Sequence, residues 1–597
     1  MVARRIALVF GAAALALGQS LAVGVGVGAA DSGNYTIQAS QRVGTAHPSK
    51  TWPNVDYGTS SVEIPNHQPN SKTIRHTYAA GTPTVGVTGI ASGQVAGFSG
   101  FAGLTHKDQR NAGTGSYANT QFTLEPPDQG LCVGNGQVLE GVNNAFQVFN
   151  TSGTPLTAPT AYSEFFGFAP EIIRTNPLVF GDFVSDPRCY FDPDTQRWFM
   201  TELQISTDPT TGNLKAPTNL VVAVSASSDA SSTWTVYEIP TTDDGSGGTQ
   251  THSGCPCFGD QPLVGADANG FYVETGEYAL STSAFNGAQV YAFSKVGLEL
   301  GTNTSAVHIN AGPFTEPAFG APAFDLQPAT SPNGGYQTAS NGTEYFLSSL
   351  DLGAGPALGT RASQLGLWRL TNTASLASGS PNLTLSFTAV DSETYSQPPN
   401  ATQKKGPLYL GAIVKSPEGL VSANEDRLQQ VVFADGKLWS AIETAVKQPN
   451  GATLSGIAWF VVNPSNGTVS HQGYLATAGQ NLLFPSIGVT GSGKAVMAFS
   501  LVGPDFFPSA AYTILDPATG PGAIHIAAVG LFPDDGFTQY PKVGGGSGVG
   551  RWGDYSAAVA DTSGNVWMAN EFIHDLLPPA RTLFANWATF ISKVPAS

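Results

Sequence analysis

Between Pro126 and Gly153 the hydrophobic and polar positions fall into three short alternating runs, each closed by a glycine or asparagine turn. A first strand follows Asp128 and ends at Gly134-Asn135-Gly136. A second covers Gln137 to Val142 and turns at Asn143-Asn144, and a third covers Ala145 to Phe149 and ends at Thr151-Ser152-Gly153. Alternation with period two marks strands with two distinct faces, and tight Gly/Asn turns join such strands into an antiparallel meander. Variants of this unit recur roughly every 60 to 70 residues, a period that belongs to toroidal repeat folds. They open at Asp128, Asp186, Asp260, Asp325, Asp426, Pro485 and Asp554. The pattern predicts an all-β chain, a seven-bladed β-propeller of four-stranded antiparallel sheets, with six or eight blades as the neighbouring counts.

The last repeat reaches Ser597 one strand short of four, so a strand from upstream is expected to close the ring and cover its exposed edge. Thr120 to Glu125, TQFTLE, alternates well and is predicted as the outermost strand of the seventh blade. On that reading truncation before Pro126 costs far more stability than truncation before Gly113. Residues 31–118, rich in Gly, Ser, Thr, Asn and Pro, read as an extended low-complexity lead-in to a propeller spanning 119–597, with Gly97 to Leu104 packed on its outside. Residues 1–30 combine Arg4 and Arg5, the apolar run Ile6 to Leu17 and a small-residue tail, the order of a secretory signal peptide of bacterial style. The apolar part is too short to span a bilayer, so secretion without stable membrane insertion is expected.

Composition sharpens this picture. Only 12% of residues are charged, and Gly (70) and Pro (41) are plentiful, which favours tight turns over long helices. The net charge of -17 argues against nucleic acid as a partner, because phosphate contact needs clustered cations. Four cysteines in an exported chain suggest two disulfides with three possible connectivities. Cys132 and Cys189 each lie just after the Asp of successive repeats, which places them on neighbouring inner strands and favours their pairing. Cys255 and Cys257 are then left to pair locally; a metal site is the alternative, though no His stands at the usual spacing.

Ser227-Ser228-Asp229-Ala230-Ser231-Ser232-Thr233-Trp234 fits S-x-D-x-G-x-T-W except for Ser231 in place of Gly. The hairpin resembles the Asp-box of sialidase-like β-propellers, in which the Asp braces the turn and the Trp packs between sheets. The resemblance spans eight residues of one repeat and bears on architecture. By the geometry of that family the Asp residues opening the blades ring the upper mouth of the central channel: Asp128, Asp186, Asp260, Asp325, Asp426 and Asp554. Two carboxylates about 8 Å apart repel by roughly 2 kcal/mol at an effective dielectric near 20, so the ring needs compensation. A Ca²⁺ ion, with Asp186, Asp260 and Asp554 as ligands, is one source; otherwise no cofactor is required. Arg188, Arg427 and Arg551, close in sequence to these aspartates, are another. Backbone N–H groups at the blade junctions are the third.

The same family includes glycosidases that grip a substrate carboxylate with three arginines and use a Tyr activated by a Glu. The corresponding candidates are Arg188, Arg427, Arg551, Tyr555 and Glu425. The Arg-Ile-Pro segment of those enzymes is absent, since Pro127-Asp128-Gln129 stands there. Two readings follow: a secreted, monomeric binding or surface-interaction module for a glycan or other extracellular polymer, or a glycosidase with its site at the channel mouth. A structural envelope protein is a third. A Tyr–Glu contact facing three arginines would favour the hydrolase, and aspartates tied to backbone amides would favour the binder. His252 and His574 are expected in loops or at the surface, and Tyr272, Tyr278 and Trp368 in the core rather than on sugars. Gly544 to Gly550 lacks the Lys-Ser/Thr of a phosphate loop and reads as a flexible approach to the seventh blade.

Overall fold

The computed structural model describes residues 34–42, 45–53, 55–58, 82–312, 323–350, 361–546 and 548–595. The signal-peptide expectation for residues 1–30 lies outside the described residues.

The predicted meanders form seven antiparallel blades that follow one another along the chain, and Gln327–Thr330 of the fourth pairs briefly in parallel with Leu428–Ala434 of the fifth. Blade 1 comprises Gly130–Gly134, Gln137–Val142, Ala145–Asn150 and Thr160–Ala161. The inner strands of blades 2 to 4 are Phe183–Asp192, Cys257–Ala266 and Gln327–Thr330. Those of blades 5 to 7 are Leu428–Ala434, Asn481–Val489 and Ala557–Ala560. Both faces of the second strands are buried, because each blade packs between two others. In the second strand of blade 2, Trp198 and Met200 face Leu139 and Phe146 of blade 1, whereas Phe199 faces Phe271 and Val273 of blade 3. Corresponding apolar layers join blades 3 and 4, 4 and 5, 5 and 6, and 6 and 7. A seventh layer, with Leu131 and Val138 of blade 1 against Trp567 and Ile591 of blade 7, closes the ring. Seven interfaces for seven sheets are what a closed propeller requires.

The closing strand is not the one expected. Ser99–Thr105 pairs antiparallel with Trp587–Pro595, with Phe101 opposite Ile591, and supplies the outermost strand of blade 7. Its sequence, SGFAGLT, is glycine-rich for a packing reason. A Cβ on Gly103 would stand 2.4 Å from Oε2 of Glu140 and from Oγ1 of Thr589, and one on Gly100 would stand 2.5 Å from the Phe590 ring. Thr120–Glu125 is instead a buried connector: Phe122 and Leu124 pack against Ile172, Phe183 and Leu203, and the Leu124 carbonyl accepts from Trp587 Nε1 at 3.0 Å. Its alternation reflects this burial, not membership of a sheet.

The described residues before 99 make their contacts at the propeller's periphery. Tyr35–Gln41 inserts between the outer strands of blades 2 and 3 and pairs antiparallel with both. Farther on, Val85 N–H donates to the Lys447 carbonyl, and Ile524 N–H donates to the Gly89 carbonyl. Both expected disulfides are present. Cys132–Cys189 joins the inner strands of blades 1 and 2 with Cα atoms 5.6 Å apart, and Cys255–Cys257 closes locally. Closing a loop of 57 residues stabilises the fold by about 4 kcal/mol on chain-entropy grounds. The hairpin at residues 227–234 is braced by hydrogen bonds to its Asp. Asp229 Oδ1 accepts from Ser231 N–H at 2.9 Å and from Gln137 Nε2 at 2.8 Å, and Trp234 is fully buried.

Candidate functional site at the channel mouth

Four of the six predicted aspartates occupy one backbone conformation. Asp128, Asp186, Asp325 and Asp554 have φ of 51°, 67°, 43° and 50°, and Gln261 (49°), next to Asp260, does the same in blade 3. Asp is among the few L-residues that enter this left-handed region at modest cost. In blades 2 and 3 the ladder slips at the same point, a bulge that redirects the side chain out of the sheet. Blade 6, which lacks the Asp, has Phe484 at φ 51° beside its own slip.

The mouth has two tiers. Asp128, Asp325, Asp426, Arg188 and Tyr555 are buried, while Asp186, Asp260, Gln261, Asn424, Glu425, Arg427, Arg551 and Asp554 remain partly exposed. Arg427 pairs with Asp325 (Nε to Oδ2, 3.1 Å) and with Glu425, and also donates to Gln261. Arg551 pairs with Asp554, which accepts from Asn424 Nδ2 at 3.3 Å as well. Asp186 accepts from Ser185 Oγ at 2.9 Å, and Asp426 from Gln397 Nε2 at 3.4 Å. The compensation is therefore carried by side chains. Burial, reinforced by Asp554 and Asp186, pushes the Asp128 carboxyl well above the ordinary carboxylate range. Burial and Asp186 push Asp260 up to about 8. Asp325 is raised by burial, which outweighs the opposing Arg427. Asp325 and Glu425 hold the Arg427 guanidinium firmly protonated although burial opposes its charge.

The Tyr–Glu arrangement of the hydrolase reading does not assemble. Glu425 lies on Arg427, and Tyr555 stacks under Arg188, whose Cζ is 3.4 Å from the ring centroid. The acidic groups acting on Tyr555 are Asp186, Asp128 and Glu202, and burial raises its hydroxyl well above the usual phenol range. Among the described residues, two groups of three His, Cys, Asp or Glu ligand atoms converge within 4.8 Å of one another. They are Asp243–His252–Glu277, and Glu277 with the disulfide-linked Cys255 and Cys257; Asp186, Asp260 and Asp554 are not such a group. Tyr272 and Trp368 are core residues, whereas Tyr278 is partly exposed, and Asp260, Arg427 and Glu425 lie close enough to act on its hydroxyl. His574 is exposed, but His252 is largely buried, with Nδ1 2.7 Å from Glu277 Oε1.

A second set of carboxyls was missed from the sequence. The second strands of six blades each carry a buried Glu: Glu140, Glu202, Glu274, Glu344, Glu443 and Glu571. Four accept backbone N–H groups: Glu140 from Leu104 (2.7 Å), Glu344 from Ala329 (3.0 Å), Glu443 from Phe484 (2.8 Å) and Glu571 from Gly553 (2.9 Å). The backbone bracing expected of the aspartates is thus done by these glutamates. Their signal in the sequence is a lone Glu inside an apolar run, as in VLEGV, YVETG and AIETA.

No family model matches the chain, and no curated protein matches it. Among solved structures it is similar to the Trypanosoma rangeli sialidase in complex with the inhibitor DANA, at 9% identity and TM-score 0.32. That match covers 68% of this chain and 54%, about half, of the sialidase. It is similar to the phage phi92 endosialidase at 9% identity and TM-score 0.30, over 67% of this chain and 66% of that one. An exo-β-1,3-galactanase from Phanerochaete chrysosporium with galactose matches at 12% identity and TM-score 0.25, over 67% and 81%. Seven antiparallel blades, seven inter-blade cores and a closing strand drawn from upstream make the chain a seven-bladed β-propeller.

Proposed function

We propose that the protein is a secreted glycan-binding propeller whose channel mouth receives an uncharged, polyhydroxylated ligand. The observation that carries the reading is the charge pairing at the mouth. Arg427 and Arg551 are each engaged by carboxylates of the same site, so the partly exposed groups facing a ligand are mainly acceptors and amides: Asp186, Asp260, Gln261 and Asn424. Carboxylates and amides hydrogen-bond sugar hydroxyls, and the partly exposed Tyr278 beside them offers an apolar ring face. An acidic sugar would meet a surplus of carboxylate. The two disulfides suit the oxidising compartment that secretion implies.

Calorimetric titration with neutral and acidic oligosaccharides tests this. Neutral glycans are expected to bind wild type and to bind Asp186→Asn and Asp554→Asn at least tenfold more weakly, about 1.4 kcal/mol. Preference for acidic glycans, or equal binding by the variants, would overturn it. Where Ca²⁺ mediates the contact through Asp186, Asp260 and Asp554, added Ca²⁺ raises the melting temperature and the two Asn substitutions remove the shift.

Hydrolysis is supported by a separate observation. Asp260 sits partly exposed at the bulge of the blade 3 inner strand, and burial, then Asp186, raises its carboxyl to about 8, the direction a general acid needs. Release of reducing sugar from a glycoside panel, abolished by Asp260→Asn, would establish it; binding without turnover would leave the binder.

A further inference from the structure

Away from the channel, in the connection between blades 2 and 3, Asp243, His252 and Glu277 converge. His252 Nδ1 lies 2.7 Å from Glu277 Oε1 and 4.0 Å from Asp243 Oδ2. Asp243 and Glu277 are 1% and 2% exposed. Asp243 Oδ2 is buried without a hydrogen-bond partner, while Oδ1 receives Tyr35 Oη at 3.3 Å. The opposite edge of the imidazole is set by Asn310, whose Nδ2 is 3.4 Å from Nε2, so Nδ1 is the nitrogen presented to both carboxylates.

We propose that Asp243, His252 and Glu277 bind a divalent transition-metal ion of the Zn²⁺ class. Ligands about 2.1 Å from a tetrahedral Zn²⁺ stand about 3.4 Å apart, and the 2.7 and 4.0 Å separations bracket that value. One imidazole and two carboxylates suit Zn²⁺ or Mn²⁺ better than Ca²⁺, which takes six to eight oxygen ligands at longer distance. Two carboxyls buried together are otherwise balanced by a proton, held between them or on the His252 imidazole beside Glu277, and a bound dication takes over that role. Asp243 is also the anchor of Tyr35, the first residue of the strand wedged between the outer edges of blades 2 and 3. The ion would therefore fasten the N-terminal strand to the propeller, with the Cys255–Cys257 loop beside it.

The test uses the full mature chain purified without chelator. Elemental analysis is expected to find one equivalent of Zn²⁺ or Mn²⁺ per chain, or its recovery on titration into metal-free protein with a rise in melting temperature. His252→Ala and the nearly isosteric Glu277→Gln should lose the metal, and Asp554→Asn at the mouth should retain it. Metal removal should also expose the segment around Gln41 to limited proteolysis while the propeller stays intact. Metal-free wild type whose melting and proteolysis respond to neither Zn²⁺ nor Mn²⁺ would overturn the proposal and leave a proton as the occupant. Because that result is read on wild type, a variant that fails to fold does not blunt the test.

Discussion

The propeller carries two sets of carboxyls, six buried glutamates and six buried or partly exposed aspartates, and they do different work. The glutamates of the second strands are held between blades, and four of them accept backbone N–H groups. Of the aspartates at the heads of the inner strands, Asp325 and Asp554 pair with arginines, and Asp186, Asp426 and Asp554 accept from Ser185, Gln397 and Asn424. A carboxylate accepting a backbone N–H secures chain geometry, and its loss orphans a buried donor. A carboxylate balanced by a side chain at a partly open mouth can exchange that partner for a ligand. Carboxyl chemistry is the same in both places; what differs is whether its partner is fixed backbone or a movable side chain.

The largest expected effect comes from removing the segment that braces Glu140. A chain beginning at Gly113 lacks both the closing strand and the Leu104 N–H. It should lose at least about 5 kcal/mol relative to one beginning at Val95, which keeps them. Equal melting temperatures for the two would refute ring closure by Ser99–Thr105.

Next in size, Glu443→Ala leaves Phe484 N–H without its buried acceptor, Ser455 Oγ keeping only the Leu482 carbonyl, and should cost about 3 kcal/mol in denaturant unfolding. Arg427→Ala should cost a similar amount, about 3 kcal/mol, by stranding Asp325 and Glu425. The comparison separates them by rescue: Asp325→Asn with Glu425→Gln should recover much of the Arg427→Ala loss. No side-chain substitution recovers Glu443→Ala, since its main partner is backbone.

The pH dependence belongs to both sets. Burial lifts Glu140 from 4.5 to about 7, and burial with Asp186 lifts Asp260 from 3.8 to about 8. A carboxyl raised in the folded state stabilises most fully below its unfolded pKa, and that contribution is lost as pH climbs through the folded value. Melting temperature should therefore fall between pH 5 and pH 8, and Glu140→Gln should flatten the part up to about 7. A melting temperature that rises over this range would contradict the assignment. Smallest of all, Asp260→Asn should change stability by less than about 1 kcal/mol while weakening glycan binding, because at neutral pH it replaces a largely protonated carboxyl.

The alternation of VLEGV and AFQVF, with Gly-Asn-Gly and Asn-Asn turns, carried the blades in full view, because strand faces and tight turns are written locally. The Cys132–Cys189 pair was legible for the same reason once the repeat was aligned. The closing strand was not. Gly100 and Gly103 are required by contacts with Phe590, Glu140 and Thr589, residues far along the chain, so the strand reads as low complexity. TQFTLE, buried on its way into blade 1, imitates a strand. The Glu of each second strand passed unnoticed because one charge in an apolar run gives no hint of the buried backbone donor that four of them meet, across a blade interface for Glu140 and Glu443 and within the blade for Glu344 and Glu571.

Sequence alone determined the repeat, its two-faced strands, the turn chemistry and the Asp at the head of six blades. Each depends on neighbours within a few residues, where side-chain alternation and backbone preference act directly. Only the tertiary structure decided which upstream segment closes the ring, that Glu425 serves Arg427 instead of Tyr555, and that His252 meets Asp243 and Glu277. Those outcomes depend on which side chains meet when seven sheets pack in a circle. Burial then fixes both the charge state of a carboxyl and the partner it must find.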